Sequence, residues 1–264
     1  MNATLGVLKT DFLNCSMRKI YFLPIFIFIS LSCTKDEQSI IDTDIENYIV
    51  IGSQIWSLNN LDVSTYTDGT IIPQIDAGNE STEWRELKTG AWTYAKNCNC
   101  GADYTFSDSE LHSFGKLYNW YAVMGIHDED PNTPNKKLSP EGWKIPSMKD
   151  FELLFENNDS QSLRATGIKN DETGLWFYRD GYTIATNSSG FTALPAGFKN
   201  ASGFGNNNGG YGNTGYYAYF WTSDVGNAVN AGVSIISSLQ KPKDLSLYYW
   251  DKNNGFSVRL IKED

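Results

Sequence analysis

From residue 48 onward, short aromatic or β-branched runs alternate so closely with glycine that only two stretches leave room for a helix. That punctuation limits the folds open to the chain more than any other feature, since 23 Gly and 8 Pro fall among its 264 residues. The first helical stretch is 115–124, where Leu117, Trp120, Tyr121 and Met124 recur on one face of a 3.6-residue period. The second is 148–157. Ser147 and Asp150 form the pattern of a capping box, Phe151, Leu154 and Phe155 line one side, and Asn157-Asn158-Asp159 ends it. Strand-like runs occupy 48–51, 54–56, 176–179, 191–194, 216–222, 233–236, 246–250 and 256–261, with an Asp68-Gly69 turn between the early ones. Helices in the middle and strands at both ends predict one α+β domain over 48–264, not two.

Before that domain the character differs. Met17-Arg18-Lys19 precedes an apolar run, 20–31. At about 12 residues it falls short of the roughly 20 that a membrane-spanning helix needs, and matches the core of a secretory signal. Residues 17–32 are therefore expected to be a signal peptide, and 1–16 an upstream extension from a misassigned start. The junction Ser30-Leu31-Ser32-Cys33, followed by Thr34-Lys35-Asp36-Glu37, resembles a bacterial lipoprotein processing site. It implies lipidation of Cys33, with the outer membrane as partner through that anchor and a surface-exposed location. Stable anchoring takes at least two acyl chains, which a lipoprotein cysteine carries. Residues 33–47, with Asp36, Glu37, Asp42, Asp44 and Glu46, read as an acidic tether.

Charge narrows the partners. The chain has 31 Asp+Glu against 21 Lys+Arg, a net charge of −10, and removal of residues 1–32 would take away three basic side chains, Lys9, Arg18 and Lys19, and one acidic one, Asp11. An acidic module of this kind disfavours nucleic acid and anionic lipid. The aromatic content of 14% excludes a disordered chain. Cys98 and Cys100 are spaced awkwardly for a mutual disulfide and lack the second ligand pair of a zinc site. Two surface thiols, or a strained bridge formed in an oxidising envelope, both remain open.

Six ordered blocks carry a family resemblance: Ile51-Gly52-Ser53-Gln54-Ile55-Trp56 with Leu58-Asn59-Asn60-Leu61; Gly115-Lys116-Leu117-Tyr118-Asn119-Trp120-Tyr121; Pro140-Glu141-Gly142-Trp143-Lys144-Ile145-Pro146; Gly190-Phe191-Thr192-Ala193-Leu194-Pro195-Ala196-Gly197; Phe220-Trp221-Thr222-Ser223; and Gly255-Phe256-Ser257-Val258-Arg259. Together they resemble the Fibrobacter succinogenes major paralogous domain of secreted and lipid-anchored bacterial proteins. The later blocks are more distantly similar to the formylglycine-generating-enzyme branch of the C-type-lectin-like fold. That likeness implies two helices packed on a small twisted, mostly antiparallel sheet, with the N- and C-terminal strands paired. The oxidase activity of that branch is not implied, because it needs cysteines near the C-terminal end and none lies beyond Cys100.

No other chemistry stands out. His112 and His127 belong to no His-Glu-x-x-His or Cys/His cluster, and no Gly-x-Ser-x-Gly elbow occurs. Gly210-Tyr211-Gly212-Asn213-Thr214-Gly215 has the spacing of a dinucleotide loop but leads into a strand-like run, where such a site needs a helix. Asp130-Pro131-Asn132 is superficially like the sugar-binding triplet of calcium lectins, yet Trp221-Thr222-Ser223-Asp224 stands where the companion Trp-Asn-Asp is expected. The acidic loop around it reads as solvated, and neither metal nor cofactor is expected. The Gly- and Asn-rich stretch 200–219 and the group Tyr248-Tyr249-Trp250 offer the amphipathic aromatics of binding surfaces. Tyr211, Tyr216, Tyr217, Asn213 and Tyr249 are the expected ligand-binding residues, and Trp143 and Trp221 the expected core. The chain is thus expected to be a lipid-anchored surface binding or adhesion module without catalytic activity, its ligand a glycan or a protein. The alternatives are a carboxylate-based hydrolase or envelope-processing enzyme, and a structural subunit of a surface assembly.

Overall fold

The computed structural model describes residues 47–76, 82–98, 104–201, 210–238 and 245–263. The chain divides into Met1–Ile41 and Asp42–Asp264. The first unit, with the expected signal peptide, the lipidation site Cys33 and most of the tether, lies outside the described residues.

The second unit begins with a hairpin of β1 (Tyr48–Ile51) and β2 (Gln54–Ser57), turned at Gly52 with its positive φ of 60°. Helix α1 (Thr82–Glu86) and strand β3 (Trp92–Tyr94) follow. Next come α2 (Asp108–Ser113), β4 (Lys116–Tyr118), α3 (Trp120–Val123) and β5 (Trp143–Lys144). Helices α4 (Met148–Glu156) and α5 (Ser160–Leu163) precede β6 (Phe198–Lys199) and β7 (Tyr211–Gly212). Three longer strands, β8 (Tyr217–Val225), β9 (Asn230–Ser237) and β10 (Leu245–Asp251), lead to the closing β11 (Ile261–Lys262). The result is a mixed α/β domain of mostly antiparallel sheets with few, short helices.

β11 inserts between β2 and β5 in the order β1-β2-β11-β5, so the first and last strands share one sheet. A second sheet has the order β10-β9-β8 and is covered on both faces. Along β8, Tyr219 and Trp221 enter one cluster with Trp92, Tyr118, Trp143 and Phe256. Ala218 and Phe220 enter another with Trp56, Phe151, Leu154 and Trp176. Double coverage is why this strand reads as continuously apolar, since alternate side chains both find a core. Trp143 and Trp221 are buried as expected, and the indole nitrogen of Trp221 donates to the Tyr118 carbonyl at 2.7 Å.

The helix expected over 115–124 is corrected. Residues 116–118 pair with β3, and only 120–123 are helical. Asn119 is the reason. Its side-chain oxygen accepts from Ala122 N, capping α3, and from Ala91 N, while its amide donates to the Thr89 carbonyl. A cap begins a helix, so the preceding residues are left free to pair as a strand. The helix at 148–157 forms as α4, with Ser147 and Asp150 closing both halves of the capping box. Runs 176–179 and 191–194 make only single bridges, Trp176 to Ile168 and Ala193 to Arg164.

Candidate functional site

A cleft of about 380 Å³ opens between β3 and α2. Three segments wall it. Gln74 and Asp76 come from the stretch bridged in parallel to Trp92; Thr93, Tyr94, Ala95, Lys96 and Asn97 come from β3 and its continuation; Asp108, Leu111 and His112 come from α2. Asp108 stands one turn before Leu111 and His112, at i, i+3 and i+4, so a single face of α2 meets the cleft.

The local sequence fixes each wall. Ser107 caps α2 and exchanges bonds with Glu110 in a capping box, and Glu110 pairs with Lys169 at 2.5 Å. Those hydrogen bonds to the carboxylate, from Lys169 first and the Ser107 backbone next, hold its pKa down at about 2. On the other wall, Tyr94 is opposite Lys116 in the β3–β4 ladder. The Lys116 ammonium contacts Asp62 at 2.6 Å and lies 4.5 Å from the centre of the Trp92 ring and 5.2 Å from that of Tyr94. This buried cation lies over the Tyr94 ring. The Tyr94 ring also packs against the exposed imidazole of His112, centroids 4.0 Å apart and planes tilted by 34°. Asn97 clamps Phe106, donating to its carbonyl at 2.8 Å and accepting from its N–H at 2.7 Å. Its amide is therefore structural.

Behind Thr93 and Lys96 of the cleft wall lies the buried Tyr211. Its hydroxyl shares a 2.8 Å hydrogen bond with Thr93, and its ring centre lies 5.5 Å from the Lys96 ammonium and 5.2 Å from that of Lys199. Burial pushes the Tyr211 pKa up to about 12. Lys199 is pulled down to about 8 by burial first and by the Lys96 charge second. Lys96 is ion-paired with Asp76. The cleft thus presents the exposed His112 ring packed on Tyr94, a Lys–Asp pair and the polar ends of Gln74 and Asp108. Planar rings take the C–H face of a ring ligand, and the surrounding groups take its hydroxyls.

The residues expected from sequence to bind ligand are distributed differently. Tyr211 is 0% exposed and Tyr216 6%, both packed in the cluster of Phe106, Phe114 and Phe177, so neither presents a ring plane to solvent. The pattern of tyrosine among glycines does not separate a packed ring from a displayed one; two strand faces with cores on both sides draw them in. Tyr217 is half-buried and stacks on Tyr219 at 5.7 Å. Asn213 takes a left-handed φ of 58° and donates to the Tyr219 hydroxyl at 2.7 Å. Tyr249 is 50% exposed, on β10 over Gly226. The centre of the Gly- and Asn-rich stretch, 202–209, lies outside the described residues. Sequence reading missed Tyr94 and His112; the available signal was the capping box Ser107-x-x-Glu110, which marks α2.

Elsewhere, Asp130 is occupied by its own loop, accepting from Asn132 N and Nδ2 at 2.9 Å. No group of three or more His, Cys, Asp or Glu among the described residues is placed to hold a metal ion. Gly210 to Gly215 runs into β8 with no helix after it. Cys98 is disulfide-bonded, and the other three cysteines, Cys15, Cys33 and Cys100, lie outside the described residues. No helix among the described residues is long and apolar enough to cross a membrane. No curated protein and no solved structure matches the chain. Residues 49–262, from β1 to β11, match the profile of the Fibrobacter succinogenes major domain, and the chain belongs to that family.

Proposed function

We propose that this protein is a lipid-anchored, non-catalytic binding module at the cell surface, and that it takes a glycan in the β3–α2 cleft. The exposed ring of His112 carries the reading, because it is packed against Tyr94, itself under the Lys116 ammonium, and hydrogen-bonding side chains line the same cleft. Pre-organised platforms bind without paying ordering entropy at the moment of contact. The anchor rests on Cys33 and the apolar run before it, and the disulfide at Cys98 is in keeping with an oxidising envelope. The same reading gives the domain a C-type-lectin-like fold, supported by the pairing of β2 with β11 and by α4 packed on β8 and β9.

A glycan array probed with the protein lacking residues 1–33 should return a saccharide whose affinity falls about tenfold in Tyr94→Ala and in His112→Ala. No saccharide retained, or retention indifferent to both substitutions, rejects the cleft. Incorporation of labelled palmitate that persists in Cys33→Ser rejects the anchor. One observation favours a hydrolase as a second reading: Asp76 and Asp108 line the same cleft. Release of reducing ends from an envelope polysaccharide, lost in Asp108→Asn, decides for it.

A further inference from the structure

Charge in the β3–α2 cleft does not balance. The Lys96 ammonium, which lines the cleft, is already paired with Asp76. On the other wall, the first turn of α2 carries two carboxylates, Asp108 and Glu110. Glu110 is engaged twice, by Lys169 at 2.5 Å and by the Ser107 N–H at 2.8 Å. Asp108 lines the cleft and is exposed, and its carboxylate has no hydrogen-bond or ion-pair partner among the described residues. Beside the matched Lys96 and Asp76, it leaves the cleft with an unmatched negative charge.

The position of that charge gives it a use. Asp108 stands one helical turn before His112 on the same face of α2, so the carboxylate neighbours the exposed ring that packs on Tyr94. A saccharide lying with its C–H face on this ring reaches Asp108 with a ring substituent and Gln74 with its hydroxyls. An acidic sugar is disfavoured, because it must compete with Asp76 for Lys96 while facing Asp108 and a chain of net charge −10. An ammonium has the opposite standing. It finds a carboxylate for a charge-assisted hydrogen bond, beside aromatic rings whose faces attract cations. The buried Lys116 near Tyr94 does not reverse this, because Asp62 pairs with it at 2.6 Å.

We propose that the cleft selects a saccharide bearing a free amine, with the ammonium on Asp108 and the sugar ring on His112. The inference rests on the reading of the cleft as a glycan site, and adds the class of sugar and the residue that discriminates. N-acetylation of the amine removes its charge and leaves a single N–H. The acetylated sugar therefore keeps its ring contact with His112 and loses its advantage at Asp108.

The test compares two probes that share one ring skeleton, the trimer of glucosamine and the trimer of N-acetylglucosamine, titrated by calorimetry at pH 7 against the protein lacking residues 1–33. The free amine should bind about fivefold more tightly at low salt, the scale of an exposed ion pair. That preference should shrink as salt is raised to about 0.5 M, and Asp108→Asn should remove it. Glu141→Gln deletes an exposed carboxylate outside the cleft and should leave the preference in place. Equal affinity for the two trimers overturns the proposal; if His112→Ala then weakens both, the glycan site itself stands. A preference that Glu141→Gln lowers as far as Asp108→Asn also overturns it, since the field of the whole acidic chain would then be responsible. So does ethanolamine competing as well as the glucosamine trimer, because the ring would contribute nothing. Binding of neither trimer overturns it too, and the glycan array then decides the cleft separately.

Discussion

Arg259 shows how single residues hold this fold. Its guanidinium is fully buried and has no carboxylate partner among the described residues; it donates to Asn60 Oδ1 and to the carbonyls of Ser57, Leu58, Phe191 and Thr192. Burial lowers its pKa to about 9. A lysine cannot reproduce this fork, so Arg259→Lys should lose on the order of 3 kcal/mol, read from urea midpoints. Tyr66 is the opposite case, a buried hydroxyl with no hydrogen-bond partner among the described residues. Tyr66→Phe should gain about 1 kcal/mol, and a midpoint that falls instead would contradict this. Tyr66 and Tyr211 are both raised to about 12 by burial. Unfolded tyrosine titrates near 10, so their contribution is complete below about pH 10 and is lost as pH climbs to about 12, roughly 2–3 kcal/mol each. The difference in denaturant midpoint between the protein and Tyr66→Phe should be the same at pH 8 and 9 and should move in favour of Tyr66→Phe by pH 11.5. The sequence distinguished tryptophans from tyrosines only by size: bulk was enough to place Trp143 and Trp221 inside, whereas a tyrosine can sit inside with its hydroxyl bonded, as Tyr211 does to Thr93.

At the scale of elements, what reads correctly is what is decided locally. The α4 capping box needs only residues 147 and 150, and the β1–β2 hairpin only its glycine and alternation. Ser147→Ala should cost about 1 kcal/mol in thermal or urea unfolding, because it leaves the Asp150 N–H without its cap. A loss below a few tenths would mean that Asp224, which accepts from Met148 N at 2.6 Å, holds the helix start unaided. The segment 115–124 misleads because its apolar spacing fits both a helix face and a strand followed by a turn. Pairing with β3 decides the matter, and β3 lies more than twenty residues away. The cleft was illegible for the same reason: Tyr94 and His112 meet only once β3 and α2 are side by side.

For the whole molecule, the closing strand is decisive. β11 bonds to β2 and β5 at once, and Leu260 exchanges hydrogen bonds with Ser57 through N–H to Oγ at 3.0 Å and carbonyl from N–H at 2.9 Å. A protein ending at Arg259 should lose its cooperative melt by circular dichroism; an unchanged transition would show that β2 and β5 stand without it. The family resemblance was legible because its blocks mark these closures, Trp56 on β2, Trp143 on β5 and the run into β11. Ile49 and Ile261 flank Trp56 on its two sides. Entry and exit are therefore about two strand spacings apart, roughly 10 Å. Such a domain behaves as a plug: a host protein can accept it within a surface turn without parting its own chain ends, and a short linker can join its termini into a circular permutant that opens elsewhere.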